Sequence, residues 1–214
     1  METSGIDHAD TLAMAPADAS ERREGKRHTA VLLIGRADFR GREHACLVHN
    51  ISERGLMARF LAPPRVGEVI RVQLRGLGPA EATVRWVKGP CAGMEFSRTQ
   101  ELSRVLHPAG PGELRPRTPR FDLRRAAVVE VDGVAHEAVM VDISVGGAKL
   151  VDAPPMRIGA HALLRLVDTP LRFAGAICWQ QDDRAGFKFV TALTLQKLAD
   201  VLDSAGEPPV PPAA

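Results

Sequence analysis

The sequence predicts an all-β chain with short helices, folded as two tandem six-stranded antiparallel β-barrels, each followed by a C-terminal helix. Three observations carry this expectation: an internal repeat with an offset near 92 residues, twelve short apolar stretches divided by turn signals, and a Pro/Gly-rich joint at mid-chain. Short strands at regular spacing favour a sandwich or barrel, and closing six strands on themselves removes exposed edges.

The repeat comes first. Asn50-Ile51-Ser52-Glu53-Arg54-Gly55 is echoed 92 residues later by Asp142-Ile143-Ser144-Val145-Gly146-Gly147. Gly67 and Gly159 keep that offset, each shortly after a Pro-Pro pair. Trp86 and Trp179 stand 93 apart, as do Gly93-Met94-Glu95-Phe96 and Gly186-Phe187-Lys188-Phe189. Upstream, Arg23-x-x-x-Arg27 is matched to Arg120-x-x-x-Arg124 at an offset of 97. The offset thus changes twice, and both changes are assigned to turn-rich stretches, Gly35 to Glu43 and Val167 to Pro170, because insertions belong in surface loops.

The strand candidates of the first copy are Ala30–Ile34, Ala45–His49, Leu56–Phe60, Val69–Leu74, Ala82–Val87 and Gly93–Phe96. Ile70, Val72 and Leu74 alternate with Arg71, Gln73 and Arg75, as in a half-buried strand. The second copy offers Ala127–Val131, Ala138–Val141, Ala148–Val151, Ala162–Val167, Leu171–Trp179 and Gly186–Val190. Ser97-Arg98-Thr99-Gln100 reads as a capping box, with Leu102, Val105 and Leu106 as the helix stripe behind it. Leu195, Leu198 and Leu202 form the matching stripe. His107 to Pro119 carries four prolines and two glycines and reads as a semi-extended linker. The expected division is a disordered N-terminus over 1–20, a first barrel over 21–106, the linker over 107–119, a second barrel over 120–203 and a disordered Pro-rich tail over 204–214.

Composition excludes several function classes. The 214 residues carry a formal charge of +2, too little for a polybasic nucleic-acid or membrane binder. Aromatics are 4% with no Tyr, which argues against base-stacking platforms and direct binding of a nucleic-acid polymer. The longest apolar run, Ala30 to Ile34, is far short of a membrane span. The polar, acidic start is no secretory signal. Cys46, Cys91 and Cys178 read as buried reduced thiols of a cytoplasmic protein. His44, His49 and His161 have no partners at metal-ligand spacing, and His136-Glu137 lacks a second His, so no metal site is expected. Ser52 and Ser144 have no plausible His base nearby in sequence, so neither reads as a nucleophile, which speaks against an enzyme. Gly76-Leu77-Gly78-Pro79 reads as a hairpin turn, and Trp86 and Trp179 read as core.

What remains is Arg-x-x-x-Arg, a strand, then Asp/Asn-x-Ser-x-x-Gly, twice over. A guanidinium presents a planar fork that suits phosphate oxygens and guanine O6/N7. A carboxylate or amide oxygen accepts from a guanine N–H edge, a hydroxyl adds a donor or acceptor, and a Gly permits a tight turn and close approach. The set suits a small guanine-bearing phosphodiester.

On these residues, and on the closing Trp and Gly-x-x-Phe strands, the chain resembles the PilZ family of bacterial cyclic di-GMP receptors over 21–106 and 120–203. The resemblance implies a barrel that binds cyclic di-GMP at its rim as a ligand, with no cofactor. It implies Arg120 and Arg124 on phosphate and guanine, Asp142 and Ser144 on a guanine edge, and Gly147 shaping the turn. The first-copy matches are Arg23, Arg27, Asn50, Ser52 and Gly55. Asn50 offers a neutral oxygen where Asp142 offers a charged one, and Glu53 adds a negative charge, so the first copy is expected to bind more weakly. The output would be a changed domain arrangement or a surface for a downstream protein. The alternative is a ligand-independent protein-interaction module, at least for the first domain.

Overall fold

The computed structural model describes residues 29–107, 116–167 and 169–203. The expected N-terminal and Pro-rich tails, most of the linker, and Arg23 and Arg27 lie outside the described residues.

The first repeat folds into β1 (Thr29–Phe39), β2 (Arg42–Ser52), β3 (Gly55–Phe60), β4 (Val69–Leu74), β5 (Leu77–Lys88), β6 (Cys91–Phe96) and α1 (Ser103–Leu106). The second gives β7 (Phe121–Val131), β8 (Val134–Ser144), β9 (Gly147–Val151), β10 (His161–Leu166), β11 (Arg172–Gln181), β12 (Arg184–Phe189) and α2 (Leu195–Asp203). Each is a closed antiparallel barrel, ordered β1-β2-β3-β6-β5-β4 and β7-β8-β9-β12-β11-β10. The crossover from β3 to β4 passes through Pro63-Pro64 and Gly67, and that from β9 to β10 through Pro154-Pro155 and Gly159. Gly67 and Gly159 donate to Val84 O and Ile177 O at 2.9 and 2.8 Å. The glycine after each Pro-Pro pair therefore ties the crossover to the neighbouring strand.

Alternating burial follows the pleat. In β4, Ile70, Val72 and Leu74 are buried while Arg71 is exposed. One core is built around Val48, Ile51, Phe60, Ile70 and Val72, the other around Phe121, Met140, Ile143, Leu150, Leu164 and Phe187.

Each of the twelve apolar stretches seeds a strand, but the first hairpin is longer than expected. The stretch read as turn-rich, Gly35 to Glu43, is strand except for Arg40-Gly41, whose φ values are 52° and 70°. Asp132-Gly133 makes the matching turn with φ of 51° and 80°. Two positive φ values in a two-residue loop match the twist of the flanking strands. The hairpins are therefore the same length: 11 residues in each of β1, β2, β7 and β8. No insertion separates them, so the offset of 92 runs through both hairpins and the match at 97 is not sustained in the strands. The one-residue change after Leu166 does fall in the β10–β11 turn, as expected.

Other expectations also give way. No capping box forms: Ser97 Oγ donates to Glu81 O at 3.2 Å, and α1 is a single turn without a side-chain cap. Its stripe still packs, with Leu102 and Val105 buried. Gly76 lies in the β4–β5 turn, but Leu77, Gly78 and Pro79 already belong to β5. Only Cys46 is buried; Cys91 is half-buried and Cys178 exposed. Trp86 and Trp179 are not core, with 44% and 37% of their surface exposed. Each indole lies outside its barrel across the glycine of the next strand. A Cβ on Gly93 would come 2.1 Å from Trp86 Nε1, and one on Gly186 2.0 Å from Trp179 Nε1.

The barrels touch. Ala45 and Ile34 of the first pack into the second core cluster. A cleft between β2 and α2 is lined by His44, Ala45, Leu61, Ala199 and Leu202. Thr194 Oγ1 accepts from Lys197 N at 3.2 Å and starts α2. Leu198 is fully buried on the helix's own barrel. Among the described residues no helix is long and apolar enough to cross a membrane.

Candidate functional site

In each barrel the beginning of the first strand and the end of the second meet at one rim, because antiparallel pairing folds a hairpin back on itself. Asp122 faces Asp142 and Phe121 faces Ile143 across β7–β8. Arg120, just before β7, is thereby brought to Asp142 although 22 residues separate them, and its Nη1 donates to Asp142 Oδ1. The Asp142 side chain is 16% exposed and that of Arg120 47%. The acid sits in the pleat while the arginine lies over it.

Asp142 is flanked by charge on both neighbouring strands, Asp122 on one side and Lys149 on the other. Asn50 occupies the same place in the first barrel, but its neighbours are Ala30 and Met57. Asn50 lines a groove of about 340 Å³ with Met57, Arg85, Trp86, Gly93 and Glu95. Arg85 Nε donates to Glu95 Oε2 at 2.7 Å along that groove. Sequence reasoning placed Trp86 in the core and so missed it as a wall here. Its signal was the small Gly93 opposite, which leaves room for an indole only on the outer face.

The serine of each motif holds its own turn. Ser52 Oγ donates to Gly55 O at 3.2 Å, and Ser144 Oγ to Gly147 O at 3.3 Å. Ser144 Oγ also accepts from Gly146 N at 3.4 Å and is buried. The hydroxyl expected on a guanine edge is thus engaged in fixing the β8–β9 hairpin. The motif glycines do not need left-handed backbone; neither has positive φ. They need space. A Cβ on Gly55 would lie 2.3 Å from Met94 O, and one on Gly147 2.4 Å from Phe187 O. Only hydrogen allows the neighbouring strand so close.

The arginines are not all brought together. Arg124 lies in a β-bulge, since the β7–β8 register shifts between Asp122 and Arg125. Its Nη2 is 3.7 Å from Asp152 Oδ2, and both side chains are more than 60% exposed. The first barrel has the same bulge between Ala30 and Leu33, and Leu32 stands in the register of Arg124. At that offset Arg23 falls on Arg115, and Arg27 on Pro119, beside Arg120. In sequence register alone, the two arginines before β1 thus match residues upstream of Phe121 and not Arg124. Arg125 is buried in the β7 interior row, and its Nη1 has no partner among the described residues. Among the described residues, no group of three or more His, Cys, Asp or Glu side chains stands together as a metal site.

The PilZ domain model matches residues 21–106 and again 114–204. No curated protein matches the chain. Among solved structures, PlzA from Borreliella burgdorferi in complex with c-di-GMP aligns at 11% identity, covering 79% of this chain and 88% of that one, with a TM-score of 0.37. YcgR from Escherichia coli in complex with c-di-GMP aligns at 13% identity over 81% and 83%, TM-score 0.34. The MrkH–c-di-GMP complex of K. pneumonia aligns at 14% identity over 80% and 86%, TM-score 0.33. These likenesses are remote, and the assignment rests on the family model, which spans each repeat and its barrel in turn: the chain belongs to the PilZ domain family.

Proposed function

We propose that this chain is a non-enzymatic receptor for cyclic di-GMP and that the second barrel carries the stronger site. The observation that supports it best is the meeting of Arg120 and Asp142 at a rim closed by Ser144 and Gly147. In the free protein the arginine satisfies the carboxylate. A guanine edge offers Asp142 N–H donors, and a phosphate offers Arg120 acceptors, so ligand exchanges one charge-assisted pair for two. Arg124, exposed on the bulge, adds a further fork at the rim. Ser144 and Gly147 act by shaping the hairpin that carries Asp142. By drawing Arg120 away from Asp142, the ligand would change how the barrels sit together or which surface meets a downstream protein.

A second reading applies to the first barrel alone. Asn50 is flanked by Ala30 and Met57, Leu32 replaces the bulge arginine, and the outer face of β1–β2 packs on the second barrel. These features suit a protein-interaction module.

Isothermal titration of the intact chain tests both. One strong site per chain, weakened about thirtyfold in Asp142→Ala and unchanged in Asn50→Ala, is expected. Binding of cyclic di-AMP as tight as that of cyclic di-GMP would remove the guanine reading. No heat with either ligand at tens of micromolar would remove the receptor reading.

A further inference from the structure

We propose that Arg36 and Glu43 of the first barrel are positioning residues for the rim of the second, clamping the backbone of residues 120–122 so that the two barrels act as one binding unit. The effect on ligand rests on the receptor reading above; the clamp itself does not.

The reason for a clamp lies in the sheet. β7 pairs with β10 only from Ala127 to Val131, so among the described residues the first part of β7 has no strand along its outer edge. Backbone groups on such an edge require other partners. The first barrel supplies them. Arg36 Nη1 donates to Arg120 O at 3.1 Å, and Asp122 N donates to Glu43 Oε2 at 3.0 Å. These two bonds bracket Phe121, whose ring is fully buried in the second core. The segment is thus gripped from both sides, by the core through Phe121 and by the first barrel through its neighbours.

The gripping groups are themselves fixed. Arg36 Nε donates to Asp38 Oδ1 at 2.9 Å, and Arg36 Nη2 lies 2.9 Å from Glu43 Oε1. Asp38 and Glu43 are cross-strand neighbours in β1–β2. The Arg36 and Glu43 side chains are only 23% and 25% exposed, so their charges are partly shielded from water. Burial pushes the Glu43 carboxyl up, against the pull of Arg36 and of the Asp122 N–H.

The repeat shows that this is no general property of the fold. At the offset of 92, Arg36 and Glu43 correspond to Val128 and Ala135. Nearby, the buried Ala45 corresponds to the exposed Glu137. The first hairpin has a docking face where the second has a solvent face. The contact joins the outer face of one barrel to the motif rim of the other. It holds the residue that reaches Asp142, so its loss frees Arg120 and weakens ligand binding.

The test uses the intact chain with Arg36→Met, Glu43→Ala and Glu43→Gln. Exchange of the Asp122 amide, resolved by NMR, is expected to quicken at least about tenfold in the first two, since each loses a charge-assisted bond. Gln keeps one acceptor and should restore most of the protection. Amides inside β1–β2 should stay protected, which separates a lost clamp from an unfolded first barrel. Affinity for cyclic di-GMP should fall about tenfold in Arg36→Met, equivalent to about 1.4 kcal/mol. Unchanged Asp122 exchange in all three variants overturns the clamp. Faster exchange with unchanged affinity overturns its role at the rim. If the wild-type chain takes up no cyclic di-GMP, the receptor reading falls, and the exchange measurement alone decides the clamp.

Discussion

Leu32 in the first barrel occupies the strand position that Arg124 occupies in the second. Both lie in a β-bulge two residues long, opposite equivalent positions of the neighbouring strand, and Leu32 is 74% exposed. An exposed leucine adds no acceptor or donor to its rim. The two rims therefore differ in their arginines as well as in Asn50 against Asp142.

That difference sets the first expectation. Arg120→Ala and Asp142→Ala should each weaken cyclic di-GMP binding by about 2 kcal/mol, the scale of a lost hydrogen bond to a charged group. Arg124→Ala should cost less, since Arg124 lies apart from the acid on an exposed bulge. Titration of the three variants decides it: a larger loss for Arg124 than for Arg120 would contradict the geometry.

In the first barrel, Asn50→Asp should not create a site equal to the second, because Ala30 and Met57 give the new carboxylate no charged neighbours. The combined variant Asn50→Asp with Leu32→Arg should bind more tightly than either single change. Stoichiometry from titration reads this directly, and a second full-strength site from Asn50→Asp alone would refute it.

Gly147→Ala should destabilise the fold, since the added Cβ would stand 2.4 Å from Phe187 O, a backbone atom that cannot swing away. A loss of about 2 kcal/mol or more is expected for such overpacking. Gly146→Ala meets open space and should stay within about 0.5 kcal/mol of wild type, as exposed substitutions do. Urea unfolding of the pair provides the comparison.

Cys46 is fully buried, and burial pushes its thiol up to about 12. Iodoacetamide on the native chain at neutral pH should label the exposed Cys178 and leave Cys46 unmodified until unfolding. Mass spectrometry of the peptides checks it, and labelling of both at similar rates would show that β2 opens readily.

His44 stacks on Phe39 with centroids 3.9 Å apart, and its Nε2 is buried with no partner among the described residues. Burial holds the imidazole below its ordinary value of 6.5, with Arg42 and Arg40 adding to the shift and Asp203 opposing it. Folding thus favours the neutral ring. The associated stability is present above about 6.5, the unfolded value, and is lost as pH falls through the lower folded value. His44→Phe should therefore lose less thermal stability than wild type between neutral and mildly acidic pH. Parallel curves for the two proteins would count against it.

The repeat, the all-β class and the twelve strands are legible in the sequence, because period-two burial and turn residues are local signals. The sequence also marked Asn50, Ser52, Gly55, Asp142, Ser144 and Gly147, since a motif repeated at one offset is visible without a structure. It misread the stretch from Gly35 to Glu43, where Gly35, Gly41 and several charges look like a loop. There the ladder between β1 and β2 overrides local preference, and only the paired register shows that both hairpins have one length. The outward turn of Trp86 and Trp179 was likewise hidden, because it depends on which face of a bulged strand meets a glycine on the next. The meeting of Arg36 and Glu43 with Arg120 and Asp122 is visible only in the folded chain. Those residues lie about 80 positions apart in the chain. No periodicity or spacing reports a contact made when one barrel lends its solvent face to the open edge of another.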